Sequence, residues 1–125
     1  PIVGDTNPNY WLSAMIIDKD YMCEQSRDDT TATFVSEKGK SCPTEILEKL
    51  ASYNAEGRPV WKPMHMQPMY GSHEFVTRGG LYQAQGDTVD VGADIFERGL
   101  CLPSDNKMTA EAQEKIIAIV RSCFD

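Results

Sequence analysis

The chain has 125 residues and a formal net charge of −7 at pH 7. Its length predicts a single domain, residues 1–125, with one hydrophobic core. The acidic charge argues against nucleic acid and anionic membrane as partners, since both require a basic surface, and no apolar run is long enough to span a membrane.

The first predicted element is a strand at residues 11–17. This stretch, WLSAMII, is a nearly unbroken apolar run, and its length and bulk are typical of a strand buried on both faces. Residues 19–40 are mostly polar and predict a mobile loop between the first strand and the next helix. Within it, residues 31–35 could form a short strand.

A helix is predicted to begin at Pro43, with Ser41 or Cys42 as its cap, because proline is favoured at the first helical position. The spacing of its apolar residues predicts one buried face, formed by Ile46, Leu47, Leu50 and Ala51. Gly57 is expected to take the positive φ that lets the chain leave the helix.

Residues 58–61 predict a second strand, at a sheet edge because Pro59 cannot donate a hydrogen bond. Residues 62–86 predict a long loop with a flexible point at residues 79–80. A short helix follows at residues 87–98, and its inward face is expected to comprise Val91, Ile95 and Phe96.

The last two elements are a short strand at residues 100–102 and a helix at residues 109–124 capped by Thr109. Three strands interleaved with three helices predict an α+β fold, in which helices cover a small antiparallel sheet. The four cysteines are far apart and only two histidines are present, which favours free thiols in a cytoplasmic protein and argues against a zinc site.

The segment from residue 58 to residue 70, RPVWKPMHMQPMY, has an unusual composition. It contains one tryptophan, one tyrosine, one histidine, three methionines and three prolines. The prolines stiffen the backbone and the other side chains make the segment apolar for a loop. Such a loop either caps its own core or is built to lie against another surface.

Three blocks of the sequence resemble one family. They are RPVWKPMHMQP at residues 58–68, NYWLS at residues 9–13 and FERGLCLPS at residues 96–104. In this order they resemble the C-terminal small domain of the DegT-type sugar aminotransferases, enzymes that use pyridoxal phosphate to aminate nucleotide-linked keto sugars. The residues in these blocks are most similar to those of the subgroup that makes 4-amino sugars of the bacillosamine type. The family passes from the opening strand to the next helix more directly, so residues 19–40 resemble an insertion.

The resemblance implies a fragment of a larger enzyme. The full-length protein would be a homodimer with pyridoxal 5'-phosphate, taking an amino group from a donor such as glutamate and giving it to a keto nucleotide sugar used in cell-surface glycans. The family's cofactor lysine lies in a large domain that this chain lacks. We therefore expect no bound cofactor, no catalytic residue and no activity in this fragment alone.

The resemblance also implies roles for individual residues. His65 is the leading substrate-proximal candidate, with Arg58, Lys62 and Gln67 beside it. Apolar packing against the large domain or the other subunit is expected of Trp61, Met64, Met66 and Met69.

Each of these roles has a simpler alternative. His65 could be a loop histidine bonded to backbone, Arg58 and Lys62 could be surface charge or ion pairs, and His73 is expected to face solvent. Tyr10 stands where the family often carries arginine, so any anion contact made by that arginine does not carry over. The alternative function is a self-contained protein-interaction module, which an upstream reading frame with a cofactor lysine would exclude.

Overall fold

A computed structural model describes residue 4 and residues 7–28, 30–77, 79–81 and 89–125. In chain order the elements are β1 (Ser13–Ile16), β2 (Gln25–Arg27), β3 (Ala32–Phe34), α1 (Pro43–Ser52), β4 (Arg58–Pro59), β5 (Val76–Thr77), β6 (Gly80–Leu81), α2 (Val91–Arg98), β7 (Gly99–Leu102) and α3 (Ala110–Arg121). The predicted α+β fold is confirmed.

The central sheet has three antiparallel strands in the order β1-β7-β4. Ser13 lies opposite Leu102 in the first pair, and Arg58 lies opposite Cys101 in the second. Because β4 pairs with β7 alone among the described strands, the edge position predicted from Pro59 is confirmed. The strand predicted last in sequence, β7, is the central and most buried strand.

Helices α1 and α3 contact each other, and α1 also contacts β4 and β7. Their apolar residues and those of the sheet form the core, whose buried members are Ile17, Ile46, Leu50, Leu100 and Cys123. Thr109 caps α3 as predicted, since its side chain accepts a hydrogen bond from the backbone N–H of Ala112. Ala51, predicted on the buried face of α1, is exposed instead.

The prediction of an opening strand buried on both faces is wrong. Strand β1 covers only Ser13–Ile16, and it is an edge strand. Trp11 and Ile16 are exposed to 69% and 49%. Ile16 points away from the core face, on which Ile17 is buried, and Trp11 lies before the strand begins.

The polar stretch at residues 19–40 is also more regular than predicted. Its main feature is the antiparallel hairpin of β2 and β3, in which Gln25 pairs with Phe34. Arg27 anchors the hairpin to α2, donating from Nη2 to the carbonyl oxygen of Phe96 and lying 4.4 Å above the centre of the Phe96 ring. Strand β3 confirms the possible strand at residues 31–35, whereas β2 is polar, has no apolar alternation and was not predicted.

The side-chain amide of Gln25 joins the ends of two helices. Its Oε1 accepts a hydrogen bond from Thr44 Oγ1 at 2.9 Å at the start of α1, and its Nε2 donates to the carbonyl oxygen of Glu97 at 2.6 Å near the end of α2. Cys42 occupies the cap position of α1, but its side chain makes no capping hydrogen bond. Gln25 therefore supplies an acceptor that the predicted cap residues do not.

We expect Gln25→Ala to lower the free energy of unfolding by about 2 kcal/mol, because the partly buried hydroxyl of Thr44 and a helix-end carbonyl both lose a partner. Urea unfolding followed by circular dichroism measures the change. Gln113→Ala is the matched control. Because Gln113 is exposed on α3, its replacement should hardly change the free energy of unfolding. Equal destabilisation of the two variants would contradict the bridging role.

The chain leaves α1 differently from the prediction. Asn54 takes the positive φ, at 58°, and Gly57 does not. Gly57 is instead needed for close packing, because a Cβ there would lie 2.8 Å from Cδ2 of Leu47. Asparagine tolerates the left-handed region well enough to serve as the exit residue.

The loop predicted at residues 62–86 contains two 3-10 turns, Met64–Met66 and Pro68–Tyr70, and the β5–β6 hairpin. Gly80 has a φ of 111° within this hairpin, so the predicted flexible point is a tight turn. Helix α2 begins at Val91, and residues 87–88 lie outside the described residues. Val91 is 60% exposed, so its predicted inward position is wrong.

The four cysteine thiols are free and buried. Burial, and to a smaller extent the neighbouring Cys42 thiol, raise the pKa of the Cys23 thiol to about 12. Burial also raises the pKa of Cys101 and Cys123. Since the thiolate is the reactive species, these groups should be unreactive at neutral pH.

We expect native protein to show no rapid reaction with Ellman's reagent at pH 8, and all four cysteines to react in denaturant. The thiol count from absorbance in the two conditions measures this. A native burst of one thiol or more would mean that the core opens more readily than the buried packing indicates.

Candidate functional site

The apolar segment of residues 58–70 contributes to two separate surfaces. The first, which we call the tryptophan groove, has a volume of about 600 Å³ and is lined by residues that include Trp11, Arg58, Pro59, Trp61, Lys62 and Phe96. The second, the histidine cavity, has a volume of about 380 Å³ and is lined by Met64, His65, Tyr70, His73, Glu74 and Phe75. The predicted substrate-proximal residues are thus divided between two sites.

The two tryptophans of the groove lie just before β1 and just after β4. Their ring centres are 5.9 Å apart, and the rings are tilted by 37°. Both remain exposed, Trp11 to 69% and Trp61 to 64%. Paired, exposed indoles of this size form an apolar surface that either a ligand or another protein surface could cover.

The predicted cations of the groove have different surroundings. Arg58 forms an exposed ion pair with Glu56, which is the simpler alternative considered for it. An exposed pair of this kind contributes little stability, so Arg58 can exchange Glu56 for an anionic ligand at small cost. Lys62 is half-buried, and its carbonyl oxygen accepts a hydrogen bond from Gln67 Nε2 at 3.3 Å.

Among the described residues, the side chain of Asp90 holds His65. Its Nε2 lies 2.6 Å from Oδ2 of Asp90, and its ring stacks on Phe75 with centres 3.7 Å apart and planes 11° apart. The imidazole is 19% exposed and the carboxylate 10% exposed. In the described part of the chain, His65 therefore forms a partly buried pair with an aspartate, where the simpler alternative expected a backbone hydrogen bond.

Asp90 has a second contact that fixes its position. Its Oδ1 accepts a hydrogen bond from the backbone N–H of Ala93 at 2.9 Å, which makes Asp90 the cap of α2. The sequence analysis did not identify Asp90. Its acidic side chain before an apolar run is a recognisable capping signal. Its contact with His65 spans 25 positions and no local pattern reveals it.

The methionines predicted to pack against another domain are partly uncovered. Met64 is 63% exposed and Met69 is 73% exposed, whereas Met66 is half-buried. His73, predicted to face solvent, is exposed and lies edge to face with Tyr70 at 5.9 Å. Apolar side chains of residues 58–70 therefore surround both candidate sites without being covered by the described part of the chain.

Several lysines are held in ion pairs at the surface. Lys19 pairs with Asp94, Lys40 with Glu37 and Lys115 with Glu111. A cofactor lysine needs an amine set in a pocket beside a group for the pyridine ring, and these three do not fit that need.

In the described ranges, no three histidine, cysteine or acidic side chains cluster as metal ligands. The longest helix there, of 12 residues, is too short to cross a bilayer.

Two comparisons bear on this geometry. Residues 18–121 match the model of the DegT/DnrJ/EryC1/StrS aminotransferase family. The chain is also similar to EpsN of Bacillus subtilis (strain 168), whose name describes a pyridoxal phosphate-dependent aminotransferase. The two are 38% identical over 82 residues, which is 66% of this chain and 19% of EpsN.

The chain thus spans about a fifth of the length of this relative. The family match includes the histidine cavity, the helix that Asp90 caps and the part of the tryptophan groove after β4, whereas Trp11 lies outside the match. Since the match covers most of the chain, this protein belongs to the DegT/DnrJ/EryC1/StrS aminotransferase family.

Proposed function

We propose that this chain is the C-terminal small domain of a pyridoxal phosphate-dependent aminotransferase that acts on a keto nucleotide sugar. The observation that carries the proposal is that the tryptophan groove and the histidine cavity each place a polar group beside uncovered apolar side chains. Polar groups suited to a ligand, Arg58 and His65, lie beside exposed apolar side chains, among them Trp61 and Met64. Ligand sites commonly form between two domains, and this surface has the composition of one wall of such a site.

The proposed reaction balances without an oxidant. The amino group of a donor amino acid, such as glutamate, passes to the carbonyl carbon of the sugar, and the donor becomes a 2-oxo acid. When bound, pyridoxal phosphate supplies the electron sink for this exchange. This chain would bind and orient the acceptor sugar, which belongs to a 4-amino-sugar route to cell-surface glycans.

The cofactor residues are proposed to lie outside this chain. The surface lysines described above do not provide a Schiff-base site, and Lys62 belongs to the tryptophan groove. We therefore expect the 125-residue chain alone to be inactive and not to bind the cofactor tightly. Borohydride reduction of the cofactor onto a lysine of this chain would contradict this.

The substrate roles follow from the two surfaces. Arg58 and Lys62, on the tryptophan groove, would attract the diphosphate of the nucleotide sugar, since a guanidinium matches phosphate oxygens well. His65 would contact the sugar from the histidine cavity. Gln67 retains an amide oxygen that can accept a hydrogen bond from a sugar hydroxyl.

The partners follow from the uncovered apolar surface. Trp61, Met64 and Met69 would be buried by the large domain or by the second subunit of a homodimer, with the half-buried Met66 beneath them. A cytoplasmic location would suit the buried, free thiols.

The test is the full-length gene product loaded with pyridoxal phosphate. We expect it to convert glutamate and a 4-keto nucleotide sugar into 2-oxoglutarate and the 4-amino sugar in equal amounts, as measured by mass spectrometry. A reading frame with no cofactor lysine ahead of this chain, or no amino transfer to any keto sugar, would favour the alternative of a protein-interaction module that reuses the small-domain fold.

A further inference from the structure

We propose that Asp90 is a positioning residue that fixes the tautomer and orientation of His65, so that Nδ1 of His65 accepts a hydrogen bond from a hydroxyl group of the acceptor sugar. The inference rests on the proposed function, because it assigns the nitrogen through which His65 would meet the substrate. It concerns Asp90, a residue that does not itself contact the substrate.

The tautomer follows from the chemistry of the pair. A carboxylate only accepts hydrogen bonds, and Oδ2 of Asp90 lies 2.6 Å from Nε2 of His65. In the neutral imidazole Nε2 must therefore carry the proton, and Nδ1 carries the lone pair. Nδ1 is then an acceptor, which suits the hydroxyl groups of a sugar.

The orientation follows from contacts on both partners. The backbone N–H of Ala93 holds the other carboxylate oxygen of Asp90 at 2.9 Å, so the carboxylate cannot rotate freely. Phe75 covers one face of the imidazole at 3.7 Å in a nearly parallel stack. Two hydrogen bonds and one ring stack thus fix the ring plane relative to the start of α2.

The other ionisable groups of the histidine cavity are placed differently. Tyr70, His73 and Glu74 also line the cavity. Tyr70 and His73 contact each other edge to face, and Glu74 is exposed. The carboxylate bonded to the imidazole is that of Asp90. A change at Asp90 therefore acts on His65 directly.

Asp90→Asn is the sharpest test because it keeps the shape of the side chain. Asparagine caps a helix as well as aspartate does, so its oxygen can still accept from Ala93. Its NH₂ group then faces Nε2 of His65 and donates to it, which forces the proton onto Nδ1. The variant reverses the tautomer while it preserves the fold.

The experiment uses the full-length enzyme and the two half-reactions. We expect Asp90→Asn to lower kcat/KM for the keto nucleotide sugar about 10-fold or more, with the glutamate half-reaction and the denaturation midpoint nearly unchanged. In ¹⁵N-histidine-labelled protein, the His65 ring signals, assigned by their loss in His65→Gln, should show the proton on Nε2 in the wild type and on Nδ1 in the variant.

Asp94→Asn is the matched control. It makes the same chemical change one turn along α2, where Asp94 pairs with Arg98 and Lys19, and we expect no change in the His65 signals or in the sugar half-reaction. A reversed tautomer with unchanged sugar kinetics would overturn the inference, as would a wild-type signal with the proton on Nδ1. An unmodified enzyme that aminates no keto sugar would overturn the proposed function itself.

Discussion

Replacing His65 with alanine in the full-length enzyme is expected to lower kcat/KM for the keto sugar about 100-fold, the size typical of losing one positioned polar group in an active site. The imidazole lines the histidine cavity and is held at 2.6 Å by Asp90, so it is preorganised before any substrate arrives. Steady-state kinetics with varied sugar, and separately with varied glutamate, measure the effect. The glutamate half-reaction should change little.

His73→Ala is the control for this variant. His73 is the second histidine of the chain and lies at the same cavity, but it is exposed and packs edge to face on Tyr70. We expect its sugar kinetics to stay within about twofold of the wild type, since an exposed side chain is poorly held for catalysis. If His65→Ala leaves sugar amination unchanged, His65 has no role in the reaction.

The candidate site shows which interactions a sequence reveals. His65, Arg58 and Lys62 were predicted as site residues because they lie in one short segment that carries the family resemblance. The structure separates them, since β4 ends at Pro59 and a 3-10 turn then carries His65 away from the tryptophan groove. Residues that are close together in the sequence therefore do not all line the same cavity.

Asp90 shows the opposite case. It lies 25 positions from His65, and only the folding of residues 58–98 brings the two together. Gln25 is similar, because its amide contacts Glu97 at a separation of 72 positions. Contacts of this kind depend on tertiary structure, which neither hydrophobic period nor motif spacing encodes.

The elements of the fold show the same difference between local sequence patterns, which allow prediction, and tertiary contacts, which do not. Helices α1 and α3 were predicted near their observed positions because apolar residues recur at the helical period and Pro43 and Thr109 mark their starts. The possible strand at residues 31–35 is confirmed by β3, but its partner β2 and the two-residue strands at residues 76–81 were missed because they are too short to carry such a period. The exit from α1 was assigned to Gly57 because glycine is the usual residue there, whereas Asn54 takes that role.

Leu100→Ala is expected to lower the free energy of unfolding by about 3 kcal/mol, within the range for removing a fully buried leucine side chain. Leu100 is fully buried in the central strand β7, where Met15 lies opposite it on one side and Pro59 on the other. Its side chain belongs to the core shared with α1, so the cavity left behind has rigid walls on several sides. Urea unfolding, with the slope unchanged, measures the loss.

Leu81→Ala provides the comparison, because Leu81 has the same side chain but is 51% exposed in the β5–β6 hairpin. The Leu81→Ala substitution should lower the free energy of unfolding by less than about 1 kcal/mol, since an exposed side chain buries little area on folding. If the two substitutions lower the free energy of unfolding equally, β7 is not the centre of a packed core. The wall of the proposed cleft would then lack its rigid support, because β7 pairs with both β1 and β4, and Trp11 and Trp61 lie next to those two strands.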